Sequence, residues 1–216
     1  MPARRTVDWV YPLALLPASP APTGALATLR RRAKACRACP LWEHATQTVF
    51  GEGPSDADMM LIGEQPGDQE DQQGEPFAGP AGNLLDRALA EARLQRDQLY
   101  LTNAVKHFKF QPRGKRRLHQ RASAREQAIC RQWLAAEVRE VHPARILALG
   151  AMASKAVFGG QFRLTARHGE WVTLPGGVMG MATWHPSAVL RTPDAGDREQ
   201  RYRELVADLK RFRGAV

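Results

Sequence analysis

Asp58-Met59-Met60-Leu61-Ile62-Gly63 runs directly into Glu64-Gln65-Pro66-Gly67. The apolar stretch is short and ends in a glycine turn, which predicts a buried strand. Similar strands are expected at Leu99 to Val105, Arg145 to Leu149 and Val178 to Thr183. Between them lie helical patterns. Asn83 to Leu94 puts Leu84, Leu85, Ala88, Leu89 and Ala92 on one face. Ser123 with Glu126 three residues on forms a capping box that starts a helix running to about Glu140, with Cys130, Leu134, Val138 and Val141 on one stripe. Ala151 to Phe158 and Asp197 to Arg211 complete the set. Strands alternating with helices predict an α/β fold, a three-layer α/β/α sandwich with a mostly parallel central sheet. Such sheets bind ligands beyond the carboxyl ends of their strands. That rule selects the loop after Gly63, the Asn103 region and the turn Trp184-His185-Pro186-Ser187.

The chain has 216 residues, 44% of them hydrophobic, and no internal linker. One domain over residues 24–216 is expected, after a Pro/Ala-rich lead-in over residues 1–23. Arg4 and Arg5 before the run Trp9 to Leu16 faintly resemble a signal peptide, but Asp8, Pro12 and Pro17 interrupt it and no small-residue cleavage site follows. No stretch approaches the roughly 20 apolar residues that span a bilayer. A cytoplasmic, monomeric protein without a membrane partner is expected.

The net charge is +9 and unevenly spread. Lys106, Lys109, Arg113, Lys115, Arg116, Arg117, Arg121, Arg125 and Arg131 fall in one short stretch in which only Glu126 is acidic. Glu43 to Asp86 holds acids and neither Lys nor Arg. A solvated face normally mixes its signs; a block of one sign points to a polyanion such as nucleic acid.

Cys36-Arg37-Ala38-Cys39 has the spacing that lets two thiolates reach one metal or cluster, a spacing shared by redox and zinc sites. Cys130 lies far downstream, on an apolar stripe where a core cysteine would also sit. A fourth ligand would have to be a histidine, and His44, His107, His119, His142, His168 and His185 are all open to that role by spacing.

Gly63-Glu64-Gln65-Pro66-Gly67 resembles the first motif of the uracil-DNA glycosylase superfamily. The resemblance continues through Glu75 to Gly82, Thr102 to Phe110, Lys115-Arg116-Arg117-Leu118-His119, His185-Pro186-Ser187 and Leu190-Arg191. It covers about Cys36 to Arg211 in the family's order. Gln65, where the iron–sulfur family 4 enzymes have alanine, and His107, where they have cysteine, resemble the UdgX type. Leu118 departs from the usual isoleucine with little change in apolar volume.

The resemblance implies a 4Fe-4S cluster on Cys36, Cys39, His107 and Cys130, with a structural role. It implies uracil-containing DNA as substrate, single-stranded for preference, with the base flipped into a pocket. Phe77 would stack on the uracil and Asn103 would read its edge, donating to O4 and accepting from N3–H. Main-chain donors around Gln65, Gly67 and Asp68 would hold further oxygens, and His185 would donate to O2 as the uracil anion develops. Glu64 would stabilise the cationic sugar. Arg117 would set the basic loop against DNA, while Ser187 and Arg191 grip phosphate. His119 would be the nucleophile that keeps the deoxyribose, where a hydrolytic relative uses water.

Overall fold

The computed structural model describes residues 19–214, so most of the lead-in expected over residues 1–23 lies outside the described residues. The elements in chain order are α1 (Leu26–Lys34), β1 (Met59–Gly63), α2 (Asp68–Gln73), α3 (Pro80–Glu91), β2 (Leu99–Asn103), β3 (Phe110–Arg113), β4 (Arg116–His119), α4 (Ala124–Val141), β5 (Arg145–Leu149), α5 (Gly150–Phe158), α6 (Leu164–Arg167), β6 (Val172–Thr173), β7 (Met179–Thr183), α7 (Pro186–Leu190) and α8 (Ala195–Arg213).

The central sheet runs β2-β1-β5-β7-β6, with the first four strands parallel and β6 antiparallel at the edge. Period-two alternation splits each strand between two cores. Leu61, Leu147, Leu149 and Met181 point to the layer where α3 and α8 bring Leu85, Leu89, Leu205, Leu209 and Phe212. Met60, Ile62, Ile146, Ala148 and Ala182 point to the opposite layer, against Leu134, Val138 and Val141 of α4 and Ala153 and Val157 of α5. Helices therefore cover both faces, which is why these strands read as continuous apolar runs. A third core joins Leu29 and Ala33 of α1 to Trp133 and Ala136 of α4, with Cys39 and Cys130 among them.

Several element ends differ from the sequence reading. α3 begins at Pro80, a residue suited to the first helical turn. It stops at Glu91, because Arg93 takes a left-handed backbone (φ 56°). β2 ends at Asn103 rather than Val105, since its neighbour β1 ends opposite it at Gly63. The basic loop is a β-hairpin, with β3 pairing β4 antiparallel so that Phe110 faces His119 and Pro112 faces Arg117.

α4 carries the expected capping box: Ser123 Oγ accepts from Glu126 N–H at 3.3 Å, and Glu126 Oε2 accepts from Ser123 N–H at 2.6 Å. Ser123→Ala is expected to lower the stability of the protein by about 1 kcal/mol. A thermal melt followed by circular dichroism checks this, and an unchanged midpoint contradicts it.

Candidate active site

The carboxyl ends of β1, β2 and β7 open into one cavity of about 410 Å³. Of the residues expected to bind or react, Glu64, Gln65, Gly67, Asp68, Phe77, Asn103, His119, His185, Ser187 and Arg191 all line it. Arg117 does not.

The floor depends on a missing side chain. Gly63 and Asn103 are paired across the parallel register of β1 and β2. A Cβ on Gly63 would lie 2.3 Å from Asn103 Oδ1 and 2.7 Å from Phe77 Cζ. Glycine is therefore what lets the amide and the ring converge. Phe77 itself has a left-handed backbone (φ 57°), unusual for a residue with a large side chain. Its loop is braced from α2, where Glu70 accepts from Gly67 N–H and from Gly79 N–H, each at 3.1 Å. Glu70 was missed in the sequence, although an acid three residues after Gly67 is a capping signal.

Asn103 is 3% exposed, and its carboxamide has no hydrogen-bond partner among the described residues. A buried amide left unpaired carries a cost of roughly 1–3 kcal/mol, which a ligand with matching donors and acceptors would relieve.

His185 caps the short helix α7. Its Nδ1 accepts from Ser187 N–H at 3.1 Å and lies 2.8 Å from Ser187 Oγ. A main-chain N–H can only donate, so Nδ1 is unprotonated and the ring proton sits on Nε2. Burial, with help from the Arg191 cation and His119, pushes the pKa of His185 down to about 4. The ring is therefore neutral at pH 7 and offers one fixed donor. Ser187, expected to grip phosphate, has its hydroxyl engaged with this ring.

The hairpin is fastened at two points. Gln65 Nε2 donates to Gln120 O, and Gln65 Oε1 accepts from Ala122 N–H, both at 2.9 Å. Its carboxamide thus clamps the strand leaving His119. Arg117, expected to set the basic loop against DNA, turns its guanidinium inward and fastens the hairpin from beneath. Nε donates to Asp68 Oδ1 at 2.5 Å and Nη1 to Asp71 Oδ2 at 2.6 Å, and the cation lies 5.3 and 5.1 Å from the ring centroids of Phe108 and Phe110. Asp71, fully buried, also accepts from Thr46 N–H at 3.0 Å. Nothing in the motif spacing pointed to Asp71. Gly67 N–H, expected as a uracil donor, is held by Glu70, while the N–H groups of Gln65 and Asp68 have no acceptor among the described residues.

His119 stands at the solvent-open rim, its ring 6.0 Å from that of Phe108. Desolvation on its inner side and the Arg191 cation lower its pKa, against the opposing pull of Glu64 and Glu70. Its imidazole is thus neutral at pH 7 and has a carboxylate close enough to stabilise a positive charge.

The three cysteines belong to one apolar group, with Cys39 and Cys130 buried and Cys36 partly so. Cys36 Sγ accepts from Trp133 Nε1–H at 3.3 Å and Cys130 Sγ from Lys106 N–H at 3.2 Å. Burial, reinforced by the other sulfurs, pushes the Cys130 thiol up to about 12 and raises Cys39 as well. His107 is buried, and burial lowers its pKa to about 4. Thr48 Oγ donates its one proton to Ala33 O at 3.0 Å, so the 2.9 Å contact between Thr48 Oγ and His107 Nε2 has the imidazole as donor. Nδ1 is then the unprotonated nitrogen, as a metal ligand requires. Among the described residues no three His, Cys, Asp or Glu side chains are gathered closely enough for a single metal ion.

His185 yields a direct check. In a pH titration followed by imidazole NMR it is expected to stay neutral until about pH 4, instead of titrating near 6.5. Because the folded pKa is depressed, its neutral state favours the fold above about pH 6.5, and that contribution is lost as pH falls towards 4. A midpoint above 6 would contradict the assigned tautomer and burial.

The chain is similar to known proteins over most of its length. A model of the uracil DNA glycosylase superfamily matches residues 50–210. A type-4 uracil-DNA glycosylase of Thermotoga maritima is 36% identical over 178 residues, 82% of this chain and 86% of the relative. Those of Sulfurisphaera tokodaii and Pyrobaculum aerophilum are 31% and 34% identical, over 87% and 78% of this chain and 87% and 86% of theirs. Among the described residues no helix is long and apolar enough to cross a membrane. With the match spanning the sheet, the cavity and the hairpin together, the chain belongs to the uracil DNA glycosylase superfamily.

Proposed function

We propose that this protein excises uracil from DNA and then keeps the sugar, through a covalent bond from His119 to C1′. The observation that carries the reading is the buried, unpartnered Asn103 carboxamide in a cavity whose rim holds a neutral imidazole beside a carboxylate.

A flipped uracil fits between Phe77 and the strand ends. Asn103 donates to O4 and accepts from N3–H, a pattern that cytosine reverses. As the C1′–N1 bond breaks, its electron pair stays on the uracil. The fixed Nε2–H of His185 then donates to O2, where negative charge collects. The free N–H groups of Gln65 and Asp68 are available to the uracil oxygens. The sugar becomes cationic at C1′, and the Glu64 carboxylate stabilises it.

His119 then forms the new bond with the lone pair of a neutral ring nitrogen. The imidazolium produced loses its other N–H proton to solvent, directly or by way of Glu64. The N-alkyl imidazole left behind is a poor leaving group, so the adduct persists. Gln65 and Arg117 support this reading, since both hold the His119 hairpin over the cavity. Arg113, Lys115, Arg116, Arg121 and Arg125 are exposed and make no ion pair among the described residues. These cations would meet the phosphates of the bound strand.

Cys36, Cys39, Cys130 and His107 would hold a 4Fe-4S cluster. It would supply cross-linking between α1, α4 and the segment leading to the hairpin, and no electron transfer. Pure protein is then expected to be brown and to contain iron rather than zinc, and His107→Ser is expected to lower the iron content. Colourless, zinc-loaded protein with full activity removes the cluster from this reading.

The central test is a denaturing gel. Uracil-containing oligonucleotide should give a protein–DNA band that survives boiling in detergent, and uracil-free DNA should not. His119→Ser should release uracil and leave an abasic site without that band, because water then reaches the same face of C1′. Free abasic product from the wild type would favour a hydrolytic enzyme that turns over. Binding with neither product would favour a non-catalytic reader of uracil in DNA.

A further inference from the structure

Lys106 is a charged residue with 0% exposure. Its ammonium donates to Glu137 Oε2 at 2.5 Å, to Thr102 Oγ1 at 2.6 Å and to Asn103 O at 2.7 Å, so its three protons meet three acceptors. Glu137, equally buried on α4, also accepts from Gly51 N–H at 2.7 Å, Thr102 Oγ1 at 2.9 Å and Tyr100 OH at 3.3 Å. The main-chain N–H of Lys106 is held by Cys130 Sγ at 3.2 Å.

A buried ion pair is a poor way to gain stability, since well-packed neutral residues often do as well. What an apolar replacement would give up here is the hydrogen bond to the Asn103 carbonyl. The Asn103 side chain has no partner in the protein, so its aim is inherited from its own main chain. That main chain is fixed on one side by the register with Gly63 and the bond from Ala104 N–H to Gly63 O at 2.9 Å. On the other side it is fixed by the Lys106 ammonium.

We infer that Lys106 is a positioning residue for base recognition, acting through the Asn103 carbonyl from an anchor on Glu137 and Thr102. The inference rests on the proposed role of Asn103 in reading uracil. It adds a specificity determinant outside the cavity, and it gives the cysteine-bearing segment a mechanical link to the base-reading amide through the Lys106 main chain.

The test uses a double variant, Lys106→Met with Glu137→Gln, which removes both charges at nearly constant volume and leaves no unpaired ion. The probe is DNA carrying a 2′-fluoro uridine, whose fluorine suppresses glycosidic cleavage, compared with the same strand carrying cytosine. The preference for the uracil strand is expected to fall about tenfold, the worth of roughly one recognition hydrogen bond. Affinity for the cytosine strand and the melting midpoint should stay close to wild type. A merely structural Lys106 would move the two affinities together. An unchanged preference in a folded double variant overturns the inference. If the double variant does not fold, Thr102→Val loosens the ammonium's second anchor and must by itself reduce the preference; an unchanged ratio there overturns it equally. A wild type with no preference for uracil removes the proposed function, and this inference with it.

Discussion

The cavity exists because Gly63 has no side chain. Parallel pairing sets Gly63 beside Asn103, and the space a Cβ would fill is taken by Asn103 Oδ1 and Phe77 Cζ. Everything that meets at the strand ends follows from that close approach. The Phe77 loop must turn through a left-handed residue to reach it, and Glu70 spans from α2 to both flanking loops to hold the turn. His185 comes from β7, two strands away, and meets Phe77 with ring centroids 6.1 Å apart. The sheet thus aligns three chain segments that are remote in sequence, and the missing Cβ allows their side chains to share one small volume.

The hairpin is a separate piece of engineering laid over that volume. Its two strands contact each other and little else in the sheet, so their position depends on side chains reaching across. Pro112 faces Arg117 and Phe110 faces His119, which puts Arg117 and His119 on the same inward face. Arg117 is fixed by two carboxylates and two aromatic rings, and Gln65 holds the exit strand. Asp71 carries the connection further, because the same carboxylate that binds Arg117 binds the main chain at Thr46, two residues before the Thr48 that orients His107. The acidic run from Glu43 to Asp86 and the basic run from Lys106 to Arg131 are therefore partners in part. Asp68 and Asp71 neutralise Arg117, and the cations left unpaired on the hairpin and beside it face outward.

The sheet strands were legible because burial on both faces writes itself as an uninterrupted apolar run; Arg145 to Leu149 needed no adjustment. The capping box at Ser123 was legible because its signal is local. The hairpin was not, since Gln111-Pro112-Arg113-Gly114-Lys115 offers no apolar face, and the inward side of β4 carries Arg117 and His119 instead of aliphatic residues. Gly114, with its left-handed backbone, was the available clue to a tight turn. The residues lining the cavity could be chosen from motifs, but the direction of a side chain could not. The contacts of Arg117 with Asp68 and Asp71, and of Ser187 with His185, were not legible in the motifs. Glu137 lay open to detection: it occupies the apolar stripe of α4, three residues after Leu134 and four before Val141, where an acid needs a buried counter-charge.

The three histidines given roles share one physical condition. Desolvation is the leading cause of the lowered pKa in all three, from burial in His107 and His185 and from the cavity side alone in the rim residue His119. Each role proposed for them demands the neutral ring, for ligating a metal, for attacking carbon, or for donating one proton without carrying charge. The partners then decide which nitrogen is bare. Ser187 N–H fixes Nδ1 of His185 as the acceptor, and Thr48 fixes Nδ1 of His107 as the free nitrogen, whereas His119 has no hydrogen-bond partner among the described residues to choose for it. A ring that must donate or ligate in one direction is locked by its neighbours. His119, the proposed nucleophile, is left at the rim, neutral and untied, with the Glu64 carboxylate nearby to oppose the loss of a positive charge.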